Sequence, residues 1–462
     1  MSHAKPQSRK EENPPSCLRV FVPSCEHGKA LRAWGIAAAA FVLAAFCLAS
    51  LTWDGSYFLL RSLQDGTPMI ANNRWMDAVL LWPVVWARTL AGNPLQLAVL
   101  HGLLCALLPL GSLAVCLRML RGPFAPLRFW AVCGILLAPL PGQMVFVSEA
   151  TPALQWSWVC LTFVWRGCPR RWAGAALAAA VIMWGLHPLA APLFGLVATT
   201  AGALGFAARE ERTRFWGWAA FFALAAAGKL AETLVFATPY EQANLHGSAW
   251  LQEVSTALLV TPLFALLPAL AAPFTPPRVG RLLWGAAFGL GIFYSLVPGG
   301  WSGALGYRKF GLLLAAPMAL MAGAEAWRFW RKGVPFPAGS RRSLLRPALL
   351  FAVILCGMAL SWRATCGSLQ ARLAAQTDQD LPHADLARGL DHWSSTALSL
   401  MLQGWSPAKV HVWNAAQQAG PRGLCICPGD PIAWEDRAFK LAWLARGPLP
   451  APAPAPSPTT PR

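Results

Sequence analysis

Asp54 stands in the run Trp53-Asp54-Gly55-Ser56-Tyr57, a lone carboxylate followed by a residue without a side chain and by two hydroxyls. Such a carboxylate can act as a general base, taking the proton of a substrate hydroxyl that Gly55 lets approach and that Ser56 or Tyr57 can hold. An Asp at the end of an apolar run is equally a solvated end residue. Arg61, Asp65, Asn72, Asn73 and Arg74 follow within the same polar stretch. Further along, Glu149, His187, Tyr240, Glu241 and His246 stand at the edges of apolar runs, as does the run Tyr307-Arg308-Lys309. A guanidinium binds phosphate bidentately and an ammonium acts as a point charge, so Arg308-Lys309 suits an anion, either a lipid headgroup or a substrate diphosphate. Glu149 could supply a second carboxylate. His187 precedes Pro188 and suits a turn cap as well as a substrate contact. Lys229 and Glu232, three apart, share a helix face and can neutralise each other.

These groups need elements to hold them, and the composition says what kind. The 462 residues are 56% hydrophobic and 13% charged, against about 25% charged in a soluble domain. A run of about 20 apolar residues crosses a bilayer as a helix. Such runs are read near 31–53, 95–117, 129–148, 152–165, 172–186, 188–207, 215–236, 254–273, 282–297, 310–326 and 347–363. The expected fold is an all-α polytopic membrane bundle of about eleven transmembrane helices. The first run is longer than a signal h-region and follows a long charged tail, so it reads as a retained anchor.

The net charge of +18 does not point to nucleic acid, because the cations sit in short clusters between apolar runs. Alternating sides from a cytoplasmic start puts six of them, Lys5 to Arg32, in the amino-terminal tail and at the very start of the first span. It then gathers Arg118, Arg121 and Arg128; Arg166, Arg170 and Arg171; Arg209, Arg212 and Arg214; Arg278 and Arg281; and six between Arg328 and Arg346, all on the same side. That is 23 of the 38 Lys and Arg residues, while the outer loops between spans hold five: Arg61, Arg74, Arg88, Arg308 and Lys309. This asymmetry predicts a bacterial inner-membrane protein with its amino terminus inside and its carboxy terminus outside.

Two outer segments are more than connections. In the loop 54–93, Trp75, Val79, Trp82, Val85 and Trp86 follow a helical rhythm, which predicts helices lying in the interface plane. The chain then divides into a cytoplasmic tail (1–30), the bundle (31–364), a small extracytoplasmic domain (365–446) and a Pro/Ala-rich stub (447–462). Nine of the twelve Cys lie in the amino-terminal tail, in apolar spans or, for Cys168, in the short inner loop between two spans; in the spans Cys packs as a small hydrophobe. The outer three allow a disulfide between Cys366 and either Cys425 or Cys427, since that compartment is oxidising. A lone CxC pair is a weak metal signal, and no metal site is read from it.

The layout resembles the GT-C superfamily of membrane glycosyltransferases. The matching features are Asp54 just after the first span, the long outer loop 54–93, Glu149 at the second outer turn, Arg308-Lys309 in a late outer loop and the tail after Arg363. The acidic pair common in the superfamily is replaced by a lone Asp before Gly-Ser-Tyr, which leaves a divalent cation open as cofactor. The resemblance implies sugar transfer from a polyprenyl-phosphate donor to a glycan, lipid or protein acceptor, with inversion at the sugar carbon. Asp54 would be the base, assisted by Glu149. Arg61, Asn73, Arg74, His187, Tyr240, Glu241, Tyr307, Arg308 and Lys309 would line the donor and acceptor sites, with membrane lipid around the bundle.

Two other classes fit the same composition. A transporter or lipid flippase would place charges deep in the bundle, as Lys229 and Glu232 suggest. A surface-polysaccharide polymerase or ligase would keep the outer cations and need not depend on Asp54.

Overall fold

A long apolar run in lipid leaves the backbone no partner but itself, and a helix satisfies all its interior N–H and C=O groups. The computed structural model describes residues 22–52, 54–70, 74–88, 90–91, 94–139, 150–236, 305–332 and 343–375. Among the described residues there are helices and no strands. In chain order the α-helices are α1 (Val22–Phe46), α2 (Asp54–Asp65), α3 (Met76–Ala87), α4 (Pro94–Met119), α5 (Arg128–Val132), α6 (Ala150–Trp165), α7 (Ala173–Leu186), α8 (Ala190–Ala207), α9 (Arg212–Val235), α10 (Leu305–Lys332) and α11 (Leu345–Ala375). A 3-10 turn, Ala49–Leu51, follows α1, and a π-helical stretch, Cys133–Leu137, continues α5.

Among the described residues, five segments are long and apolar enough to cross a membrane: Gly28–Phe46, Leu95–Met119, Ala190–Ala207, Arg212–Val235 and Leu345–Ser368. The expected spans 152–165 and 172–186 are α6 and α7, whose 16 and 14 residues fall short of the roughly 20 a crossing needs. In α6 every residue except Trp156 is buried, so protein rather than lipid surrounds it. Hydropathy does not separate those two surroundings. The opposite case is α9, which buries only Phe215, Ala219, Phe222 and Lys229, a single stripe, and leaves Leu224, Leu230 and Leu234 exposed. The expected span 129–148 is α5 plus the π-helical stretch only as far as Leu137, and Gln155 Nε2 donates to the Ile135 carbonyl there at 3.0 Å. The expected spans 254–273 and 282–297 lie outside the described residues.

Direct contacts fix which helix ends lie together. The Ser50 hydroxyl donates to the Ala98 carbonyl at 2.6 Å, joining the end of α1 to the start of α4. Trp362 Nε1 donates to the Leu48 carbonyl at 2.9 Å, bringing α11 to the same place. At the far end of the bundle, Trp330 of α10 donates to the Trp165 carbonyl of α6 at 2.9 Å. Rings of Phe124 and Phe329 lie 4.9 Å apart and those of Phe215 and Trp330 5.6 Å apart, adding the α4–α5 connection and the start of α9. The connections carrying Arg121, Arg166, Arg171 and Arg214, and the α10 end carrying Arg328 and Arg331, therefore meet at one end of the bundle. We refer to it as the basic end.

Candidate functional site

The opposite end begins with a bend. Leu48 takes a left-handed conformation (φ 62°), which turns the chain out of α1. Its carbonyl accepts the Leu51 N–H at 2.9 Å in addition to the Trp362 indole. Ser50 is anchored to α4, and the Thr52 hydroxyl donates to the Ala49 carbonyl at 2.7 Å. The Gly55 N–H then donates to the Thr52 carbonyl at 3.0 Å, so α2 starts directly from a turn pinned by two other helices. Asp54 is the first residue of α2. Arg61 follows two turns later on the same helix. Ser56 is fully buried, so it faces packing rather than a substrate, contrary to the expectation for the Gly-Ser-Tyr run.

The second helix of the polar loop presents its Trp residues outward. Trp75, Val79, Trp82 and Trp86 are all exposed, with the Trp82 and Trp86 rings 5.5 Å apart. Val85, expected on that face, is buried with Leu81 and Val84 because it lies a full position round the helix from the stripe. Trp75 caps the start of α3 and packs on Gly185 of α7, where a Cβ would collide with the indole. That contact brings Arg74 and the α7–α8 turn into one neighbourhood. In the turn, His187 Nδ1 accepts the Leu189 N–H at 3.0 Å, which leaves Nε2 as the protonated nitrogen. His187 is thus a turn cap.

Next along α7, the Trp184 ring lies 5.9 Å from Lys229 Nζ of α9. Lys229 pairs with Glu232 Oε1 at 3.1 Å, their side chains 7% and 24% exposed. Six residues separate Lys229 from the end of α9, about 9 Å of helix. The pair belongs to this end of the bundle and not to its middle.

Sequence reading missed His101. It is 2% exposed on α4, one turn past Ala98, whose carbonyl anchors the bend. A lone His inside the apolar run 95–117 was the signal that marks it.

Tyr307, Arg308 and Lys309 lie in the first turn of α10. From Arg308 to Trp330, which sits at the basic end, is 22 residues, about 33 Å of helix. The direction of α10 therefore carries Arg308 and Lys309 to the same end as Asp54. Glu149 directly precedes α6 in sequence but, like Asn73, Tyr240, Glu241 and His246, lies outside the described residues. Cys366 is buried on α11, which runs on past the expected domain boundary at 365 to Ala375. Cys425 and Cys427 lie outside the described residues. Among the described residues no three His, Cys, Asp or Glu gather into a metal site.

No family model matches the chain, and no curated protein or solved structure matches it either. The chemistry must therefore be argued from these residues.

Proposed function

We propose that the chain is a GT-C-like glycosyltransferase of the bacterial inner membrane, with its basic end in the cytoplasm and the bend at Leu48–Asp54 outside. The observation that carries this reading is the pinned bend. It holds Asp54 at the start of a helix on a backbone fixed by α4 and α11, at the end to which α10 also brings Arg308 and Lys309. Rigid placement is what general-base catalysis needs, because the base must stay within hydrogen-bond reach of the proton it removes.

In this reading Asp54 takes the proton of the acceptor hydroxyl, with Glu149 orienting that hydroxyl. The oxygen forms a bond to the anomeric carbon from the face opposite the donor. The bond from that carbon to the phosphate oxygen breaks, and the polyprenyl phosphate leaves with the electron pair. Arg308 and Lys309 meet the negative charge that develops on it. The exposed Trp stripe of α3 lies at headgroup depth, where an amphipathic lipid-linked donor would arrive.

Asp54→Asn keeps the size and removes the base, so transfer should fall by about 10²–10⁴ while the protein still inserts. Near-normal turnover by that variant would refute the assignment. A reporter enzyme fused after Gly367 should be active only in a form that works in the periplasm. A cytoplasmic signal there would invert the map and remove the catalytic reading with it.

A further inference from the structure

At the basic end, α6 closes with a Schellman turn. Gly167, at φ +87°, donates to the Val164 carbonyl at 2.9 Å, and Cys168 donates to the Phe163 carbonyl at 3.0 Å. Trp330 donates to the Trp165 carbonyl, and its ring fills the space that a Cβ on Gly167 would need. The backbone of Arg166 is therefore held from both sides. Arg166 is half-buried. Burial first, and then the neighbouring guanidiniums of Arg171 and Arg121, press its pKa below the ordinary value.

Among the described residues no carboxylate pairs with Arg121, Arg166 or Arg171. Glu211, at the same end, is taken by Arg214 at 2.8 Å. The negative end of the α6 dipole compensates one cation within the last turn, which leaves the other two without a counter-charge. The guanidinium of Arg166, half-buried on a held backbone, and its exposed neighbours Arg121 and Arg171 carry only one compensated charge among them, a focused positive potential that an anion would relieve.

The depth of this cluster identifies the anion. Arg214 Nη1 reaches the Gly167 carbonyl at 3.5 Å, which sets the start of α9 against the α6 turn. On the outer face of that start, Phe206 (63% exposed) and Trp216 (41% exposed) pack at 5.1 Å. The Arg212 guanidinium lies 5.9 Å above the Phe206 ring. Exposed aromatic rings capped by a cation mark the boundary between acyl chains and headgroups. Basic pockets between helices at that level bind anionic headgroups.

We propose that Arg121, Arg166 and Arg171 form a binding site for the phosphate of an anionic phospholipid, at the end of the bundle opposite the bend. Arg166 supplies a bidentate fork from a fixed backbone, and Arg121 and Arg171 close around the remaining phosphate oxygens. The site does not depend on which reaction the opposite end performs.

The test is thermal unfolding of the full chain in non-ionic detergent, titrated with phosphatidylglycerol, phosphatidylcholine or inorganic phosphate. Phosphatidylglycerol should raise the Tm of the native protein and phosphatidylcholine should not. The midpoint concentration should rise about fivefold for each guanidinium removed, in Arg166→Gln and in Arg166→Gln/Arg171→Gln. Arg170→Gln, next in sequence to Arg171 but not among the cations acting on Arg166, should respond as the native protein does. Arg166→Lys keeps the charge, protects against a folding defect and should respond at an intermediate concentration. An unchanged midpoint in Arg166→Lys and Arg166→Gln/Arg171→Gln would overturn the site. A full Tm shift from inorganic phosphate alone, lost in the same variants, would overturn the lipid as its source.

Discussion

The two ends of the bundle hold their charges in opposite ways. At the basic end, Phe124, Phe215, Phe329 and Trp330 form an aromatic collar, and Arg166 has the cations Arg121 and Arg171 as neighbours. At the other end, Lys229 is matched by Glu232, His187 is committed to a backbone N–H, and Asp54 is the first residue of a helix that starts from a pinned turn. At one end, Arg121, Arg166 and Arg171 have no carboxylate partner among the described residues. The other spends its hydrogen bonds on holding backbone in place. On the two proposals made above, the difference separates a lipid-binding surface from a positioning region, and it can be broken from either side.

The largest expected effect comes from crossing the two ends. Asp54→Asn should reduce transfer by about 10²–10⁴ and leave the phosphatidylglycerol midpoint unchanged, whereas Arg166→Gln/Arg171→Gln should do the reverse. A loss of both properties in both variants, measured side by side on the same preparations, would show that the ends are not independent.

Next in size is Glu232→Gln. Removing one partner of a buried pair leaves an uncompensated charge and costs about 3–5 kcal/mol. At 24% exposure Glu232 is partly solvated, so the loss should fall below that range. The double variant Lys229→Met/Glu232→Met should recover most of the stability in a thermal melt. If it recovers stability and also keeps activity, the pair is structural. If stability returns and activity does not, the pair belongs to the chemistry.

A smaller effect is expected at the bend. Ser50→Ala removes the hydroxyl that anchors the turn to α4, worth about 1 kcal/mol as a net hydrogen bond. Its effect on kcat should exceed its effect on Tm, because the bend positions Asp54 more than it stabilises the bundle. An equal proportional loss in both would reduce Ser50 to a packing residue. Smallest of all, Trp330→Phe keeps the ring and deletes the N–H that donates to the Trp165 carbonyl, a loss of about 0.5–1.5 kcal/mol. It should be visible in a melt and silent in transfer.

The apolar runs foretold most described helices, since hydropathy marks where a backbone must bond to itself. The same measure did not distinguish α6, whose apolar residues face protein, from helices that face lipid, and residues 140–148 of the expected third span lie outside the described residues. The charge count grouped Arg121, Arg166, Arg171 and Arg214 correctly on one side, because that rule acts through loops and is local in sequence. The bend could not be read in the same way. Ser50, Ala98 and Trp362 are unremarkable residues in apolar runs, and what joins them is tertiary contact. Val85 was misplaced because a Trp-rich rhythm tolerates a neighbouring apolar residue that the helix in fact turns inward.

The bond from Trp362 to Leu48 links residues 314 positions apart. A ribosome adding about 5–20 residues per second needs on the order of tens of seconds to cover that distance. Through all of that interval α1, α2 and α4 are made while the indole that completes the turn at Leu48 does not yet exist. The nascent chain therefore carries Asp54 on an unfinished scaffold until its last described helix inserts, so the order of biosynthesis withholds the finished bend from every incomplete copy.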